Sequence, residues 1–156
     1  MMVARHLRLN QVSLREAAAG DCERVYGYNA APEVRALSRD PRPIAYADHC
    51  AWYAARSLPG ALPMWIVEDD GEPVGVIRIQ RDGAGRALLS IALGAAARGR
   101  GIGRKAIRLA TDAWGAPLHA EVLPSNAASL ACFRSCGFAE HATAELVTFS
   151  CTVEDR

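Results

Sequence analysis

The residues of this 156-residue chain best suited to chemistry are Arg98-Gly99-Arg100-Gly101-Ile102-Gly103, set between an apolar run and an amphipathic stretch. Glycines let a backbone approach a ligand closely, and the unpaired amides of a first helical turn face an anion with the helix dipole behind them. Arg104 and Lys105 add charge beside Arg98 and Arg100. The segment can therefore hold a phosphate, or it can be a tight turn before a solvated basic helix start. Two phosphate motifs fit it poorly. A P-loop requires Gly-Lys-Ser/Thr, where this chain reads Gly103-Arg104-Lys105-Ala106. The dinucleotide fingerprint is formally met by Gly101, Gly103 and Ala106 with Glu121 downstream, but too little sequence follows it to build the remaining parallel strands.

The elements that would position this segment follow from pattern and punctuation. Leu7 to Arg15 alternates as a first strand, and Gly20-Asp21 opens a helix to about Ala30. Pro32, Pro41 and Pro43 mark a loop before a second helix from Tyr46 to Ser57. Met64 to Glu68 and Val74 to Gln80 read as strands joined at Asp70-Gly71, a hairpin signal. A turn at 82–85 leads to the apolar strand Ala87 to Leu93. The helix after the glycines carries Ile102, Ala106, Leu109, Ala110 and Ala113 on one face. Pro117 to Leu123 is a strand, Ser125 an N-cap, and Asn126 to Cys136 a helix closed by Gly137. Phe138 to Thr152 supplies the last strand region. The order is βααβββαβαβ, an α/β or α+β sandwich with a mixed sheet, and residues 1–156 read as a single domain.

Composition narrows the partners. With 18 Lys+Arg against 17 Asp+Glu and a net charge of +1, the chain lacks the positive surplus that nucleic acid or an anionic membrane surface requires. No apolar run reaches membrane-spanning length, and the first segment is broken by Arg5, His6, Arg8 and Asn10, unlike a signal peptide. Cys22, Cys50, Cys132, Cys136 and Cys151 are odd in number and lack Cys-x-x-Cys spacing. Reduced thiols in a cytoplasmic protein are expected, with no metal site.

The motif Arg98-Gly99-Arg100-Gly101-Ile102-Gly103 resembles the Arg-x-x-Gly-x-Gly loop of the GNAT superfamily of acyl-CoA N-acetyltransferases. Glu121-Val122-Leu123-Pro124-Ser125-Asn126 through Phe133 to Gly137-Phe138 resembles that family's second motif, and the element order fits along nearly the whole chain. The resemblance implies a mixed, mostly antiparallel sheet flanked by helices, with acetyl-CoA lying between two splayed middle strands. By position, the amides of Gly99, Gly101, Ile102, Gly103 and Arg104 would hold the pyrophosphate beside Arg98 and Arg100. Ile91 and Leu93 would pair with the pantetheine amides, and Asn126, Ser129 and Phe133 would line the same arm. Asn126 taken singly reads as a helix-start residue bonding its own backbone.

The implied activity is transfer of an acetyl group from acetyl-CoA to a primary amine by direct attack in a ternary complex. An alkyl ammonium has a pKa near about 10.4, so removing its proton at neutral pH is a genuine task. Glu121 is the candidate base, since some members carry a catalytic glutamate there, although a strand-end glutamate also commonly binds an arginine. Many relatives place a tyrosine where this chain has Phe133, which cannot protonate the leaving thiolate; Cys132 and Tyr53 are the alternatives. The acceptor region, with Pro32-Glu33-Val34-Arg35 and His49-Cys50-Ala51-Trp52, is similar to members acting on amino-sugar nucleotides, as in pseudaminic acid biosynthesis. Arg35, Arg39 and Arg42 would then meet a substrate phosphate, with His49, Trp52 and Tyr53 around the sugar or base. Related segments occur in acetyltransferases of ribosomal-protein N-termini, so a peptide amine is the competing acceptor. A non-catalytic CoA-binding regulatory module is the rival from another class. Monomer or homodimer is the expected state.

Overall fold

The first strand region is a hairpin in the computed structural model, which describes residues 7–152 and 154. β1 (Leu7–Leu9) and β2 (Val12–Glu16) reverse at Asn10, whose left-handed φ of 55° suits a short polar side chain. A one-turn 3-10 segment, Ala19–Asp21, leads into α1 (Cys22–Ala30). The proline-marked loop contains a further short helix, α2 (Pro32–Ala36), because Pro32 occupies a first-turn position where its missing N–H costs nothing. Next come α3 (Tyr46–Ala55), β3 (Met64–Asp69) and β4 (Glu72–Arg81). The turn between these strands puts Asp70 and Gly71 at φ 48° and 82°, the positive pair that a two-residue hairpin needs.

β5 (Ala87–Leu93) is followed by α4 (Ile102–Trp114), β6 (Leu118–Val122) and α5 (Ala127–Ser135). The last strand region is likewise a hairpin, β7 (Ala139–Ala142) and β8 (Val147–Cys151). Thr143 closes its turn, accepting from the Leu146 amide at 3.1 Å and donating its hydroxyl to the Leu146 carbonyl at 2.9 Å. The eight strands form one sheet in the order β1-β2-β3-β4-β5-β6-β8-β7, antiparallel throughout except for β5 and β6.

Alternation along β4 shows how the layers divide. Ile77 and Ile79 enter the main core with Ile102, Ala106 and Ile107 of α4 and Phe133 of α5. Val76 faces the other way, into a smaller core with Val25 of α1 and Tyr53 of α3. Helix α4 buries Ile102, Ala106, Leu109 and Ala110 as the periodicity requires, joined by Ile107 and Thr111. Ala113, expected on that face, is exposed, while the neighbouring Trp114 packs against the main core. No helix among the described residues is long and apolar enough to cross a membrane.

Candidate active site

The middle of the sheet is where pairing fails. β4 and β5 stay in register from Gly75↔Leu93 to Arg81↔Ala87, whereas β5 and β6 share a single bridge, Leu88↔His119. Beyond that bridge the two strands part. The Gly94 amide donates to the Val74 carbonyl on β4 at 2.8 Å. Since main-chain groups alternate sides along a strand, Ala92 and Ser90 also turn to β4, and Ile91 and Leu93 turn their N–H and C=O into the gap. The Leu93 carbonyl is already engaged, accepting from the Arg98 guanidinium at 2.9 and 3.2 Å. The gap opens into a cleft of about 600 Å³ whose walls include Ile91, Glu121, Asn126, Ser129 and Phe133.

At the end of β5 the chain turns through the glycine loop into α4. Gly99 and Gly101 lie at φ 73° and 76°, a conformation that side-chain-bearing residues disfavour, and Gly101 is the N-cap. The amides of Ile102, Gly103 and Arg104 stand in the first turn of α4, where no intrahelical partner exists for them. Arg100 is drawn to Asp69 at 2.7 Å, and Arg98 reaches Glu33 at 3.3 Å as well as Leu93. These two arginines therefore brace the loop against β3 and α2, while Arg104 stays exposed at the start of α4. The combination fits an acyl-CoA: a strand edge for a pantetheine arm, then a dipole-backed amide cluster for a pyrophosphate.

The sequence profile described as the Acetyltransferase (GNAT) family matches residues 31–138. The chain belongs to the GNAT family. Its enzyme class is accordingly acyl-CoA-dependent N-acetyltransferase. The spermidine N-acetyltransferase of Vibrio cholerae, solved with CoA and spermine, is similar at TM-score 0.81 and 17% identity, over 94% of this chain and 98% of that one. A ribosomal alpha-N-protein acetyltransferase solved with CoA gives 0.79 and 13%, covering 97% and 100%. An aminoglycoside acetyltransferase solved with CoA gives 0.76 and 16%, covering 92% and 96%. At such identities the likeness is one of fold. No curated protein matches the sequence.

Within this GNAT fold, Glu121 projects from β6 toward the cleft, its side chain 15% exposed, and forms an ion pair with Arg39, which is 66% exposed. This contact joins the loop after α2 to the far side of the gap. Asn126, rather than Ser125, is the N-cap of α5, because its Oδ1 accepts from the Ser129 amide at 3.2 Å. Phe133 is 2% exposed, stacked on Phe149 with centroids 5.2 Å apart and edge-on to Phe138 at 5.2 Å. It forms an apolar end wall and supplies no proton.

The residues expected around the acceptor divide into two groups. His49 and Trp52 of α3 and Arg35 of α2 line the cleft. The His49 ring lies 2.7 Å from the Cys22 carbonyl, which fixes Nε2 as the protonated nitrogen. Arg35 is spent on the loop after α2, donating to the carbonyls of Asp40 and of Arg42, the latter at 3.0 Å. Arg42 and Tyr53 are placed elsewhere. Arg42 is a solvent-exposed partner of Asp40 at 2.6 Å, because the proline-flanked turn points it outward. Tyr53 is buried under α1, donating to the Ala18 carbonyl at 2.5 Å, and burial pushes its hydroxyl up to about 12. Cys132 packs toward Gly103 on α4, and burial raises its thiol. Neither alternative acid faces the cleft. The sequence reading missed Arg78 of β4, which lines the cleft floor. The signal for it was its place two residues after Val76 between the apolar Ile77 and Ile79, on the half of β4 that the alternation sends to one covered face.

Proposed function

We propose that this enzyme transfers the acetyl group of acetyl-CoA to the primary amine of a small acceptor, by direct attack within a ternary complex. The observation that carries the reading is the parting of β5 and β6 after one bridge, with Glu121 on the gap and the glycine loop at its end. When bound, acetyl-CoA supplies a thioester carbonyl open to attack by a neutral amine. Ile91 and Leu93 would align the pantetheine arm, the first-turn amides of α4 would hold the pyrophosphate, and Phe133 would exclude water at one wall. Glu121 would take the ammonium proton, directly or through a water, once Arg39 yields its carboxylate to the incoming amine. Since the cleft presents no side-chain acid at Phe133, the leaving thiolate would take its proton from solvent.

On the acceptor side, a nucleotide-linked amino-sugar is the finer proposal, supported by His49 and Trp52 of α3 and by Arg35 and Arg39 on the cleft wall. A peptide or ribosomal-protein N-terminus is the competing acceptor. The test is thiol release from acetyl-CoA across a panel of amino-sugars, peptides and simple amines, with Glu121→Gln beside the wild type. We expect kcat to fall at least 100-fold in the variant, with KM for acetyl-CoA unchanged. Unaltered turnover in Glu121→Gln would remove the base assignment. Tight CoA binding without thiol release for any amine would favour the regulatory-module reading.

A further inference from the structure

Arg78 has no role in the acetyl-transfer reading, yet its position asks for one. It lies on β4 opposite Ser90 of β5 and Met64 of β3, on the sheet face that carries α1 and α3. Its guanidinium rests over the Trp52 ring at 5.2 Å from the centroid, and the Arg56 guanidinium approaches the same ring at 5.3 Å. Arg56 is anchored on the Ile79 carbonyl at 2.9 Å. Arg78 makes no hydrogen bond or ion pair among the described residues, and its Nε is shut off from solvent without an acceptor. Burial, with repulsion from Arg56 and then Arg35, lowers its pKa to about 10.

No acid of the cleft offsets this charge. Glu121 is committed to Arg39 and Asp40 to Arg42, while Asp48 is exposed on α3. A half-buried cation lacking a counter-charge is costly, and it persists where a ligand supplies that charge. The guanidinium fork matches the two oxygens of a carboxylate or a phosphate in a way that no lone ammonium does. Trp52 holds the fork in place, so little ordering is left for binding to accomplish.

We propose that the acceptor is an amine that also bears an oxyanion, a carboxylate or a phosphate, and that Arg78 binds this anion so that the amine faces the gap beside Ser90 and Glu121. This rests on the acetyl-transfer reading. Strands stand about 4.8 Å apart, which sets amine and anion roughly one to two strand spacings from each other. Amino acids and phosphorylated or nucleotide-linked amino-sugars have that form. Spermine and aminoglycosides, bearing only positive charge, do not.

The experiment compares kcat/KM for amino acids with their amides, for phosphorylated amino-sugars with the unphosphorylated sugars, and for spermine. We expect at least a ten-fold preference for the anionic member of one pair, the preferred pair distinguishing carboxylate from phosphate. Arg78→Gln should abolish that preference through a ten-fold or greater rise in acceptor KM, with KM for acetyl-CoA unchanged. Arg78→Lys should recover part of the preference. Both variants should melt at or above the wild-type temperature, because an uncompensated charge has been removed or made easier to solvate. A preference for amides, free sugars or spermine would overturn the proposal, as would an equal loss on both members of a pair in Arg78→Gln. If no amine turns over, the acetyl-transfer reading fails by itself. Calorimetric titration of the N-acetylated amino acids and sugar phosphates into wild type and Arg78→Gln with CoA present then decides the anion site. Binding lost in the variant upholds it, and no binding to the wild type overturns it.

Discussion

Asp21→Asn should strip the acceptor-side layer of a defined part of its stability, and only above a defined pH. Asp21 is buried at the start of α1, and its carboxylate takes the Arg15 guanidinium at 2.7 and 2.9 Å, the Ala18 amide at 2.8 Å and Arg24 at 2.5 Å. It thereby pins α1, which lines the cleft through Asn29, to strand β2. The Arg15 hydrogen bonds, helped by the Ala18 amide and the two positive charges, lower its pKa from 3.8 to about 2 against the opposing effect of burial. At 1.36 kcal/mol per pH unit that difference is worth at most about 2.4 kcal/mol. Arg15 and Arg24 leave 32% and 40% of their side chains in water, so screening brings the expected value to roughly 1–2 kcal/mol.

The sign follows from the direction of the shift. A carboxylate whose folded pKa is depressed stabilises the fold fully above the unfolded value near 3.8, and that contribution is lost as the pH falls through about 2. Urea unfolding of wild type and Asp21→Asn at pH 7, 5, 4, 3 and 2 reads it directly. The wild type should be more stable by roughly 1–2 kcal/mol at pH 5 and above, and the two curves should converge between pH 4 and pH 2. Parallel curves down to pH 2, or equal stability at pH 7, would refute the reasoning.

Two further variants probe the donor side. Gly101→Ala places a Cβ on a residue at φ 76°, which costs about 1–2 kcal/mol of stability or shifts the first turn of α4; KM for acetyl-CoA should rise several-fold while KM for the amine stays constant. Gly75→Ala puts a Cβ 2.6 Å from the Ala92 carbonyl oxygen and 2.6 Å from a Leu93 methyl, forcing β4 off β5. Chemical denaturation should register a loss of about 1–3 kcal/mol, and CoA binding, followed by calorimetry, should weaken along with it.

Local physics made the glycine loop and the helix after it legible in the sequence. The glycines before an amphipathic helix dictate a left-handed turn and a cluster of unpaired amides wherever they occur, because both properties belong to a few consecutive residues. The hairpin at Asp70-Gly71 and the buried stripe of α4 were readable for the same reason. Errors arose where one short signal hid two elements, as at Asn10 and at residues 143–146, or where Pro32 served equally as loop and as helix start. Ser125 and Asn126 were both competent caps, and only the Ser129 amide chose between them.

The acceptor side depended on tertiary structure, because its contacts join residues far apart in the chain. Nothing near Arg39 announces Glu121, 82 positions away, as its partner. Arg42 and Tyr53 had suitable chemistry, yet a loop turn sent one to solvent and helix packing buried the other. Arg78 drew no reading from the sequence, and only the fold laid Trp52 over it and left its charge without a counterpart. Sequence alone determines what a residue can bond to within a turn or two of backbone; only the assembled sheet decides which charges remain uncompensated in a cleft, because that depends on every element packed around it.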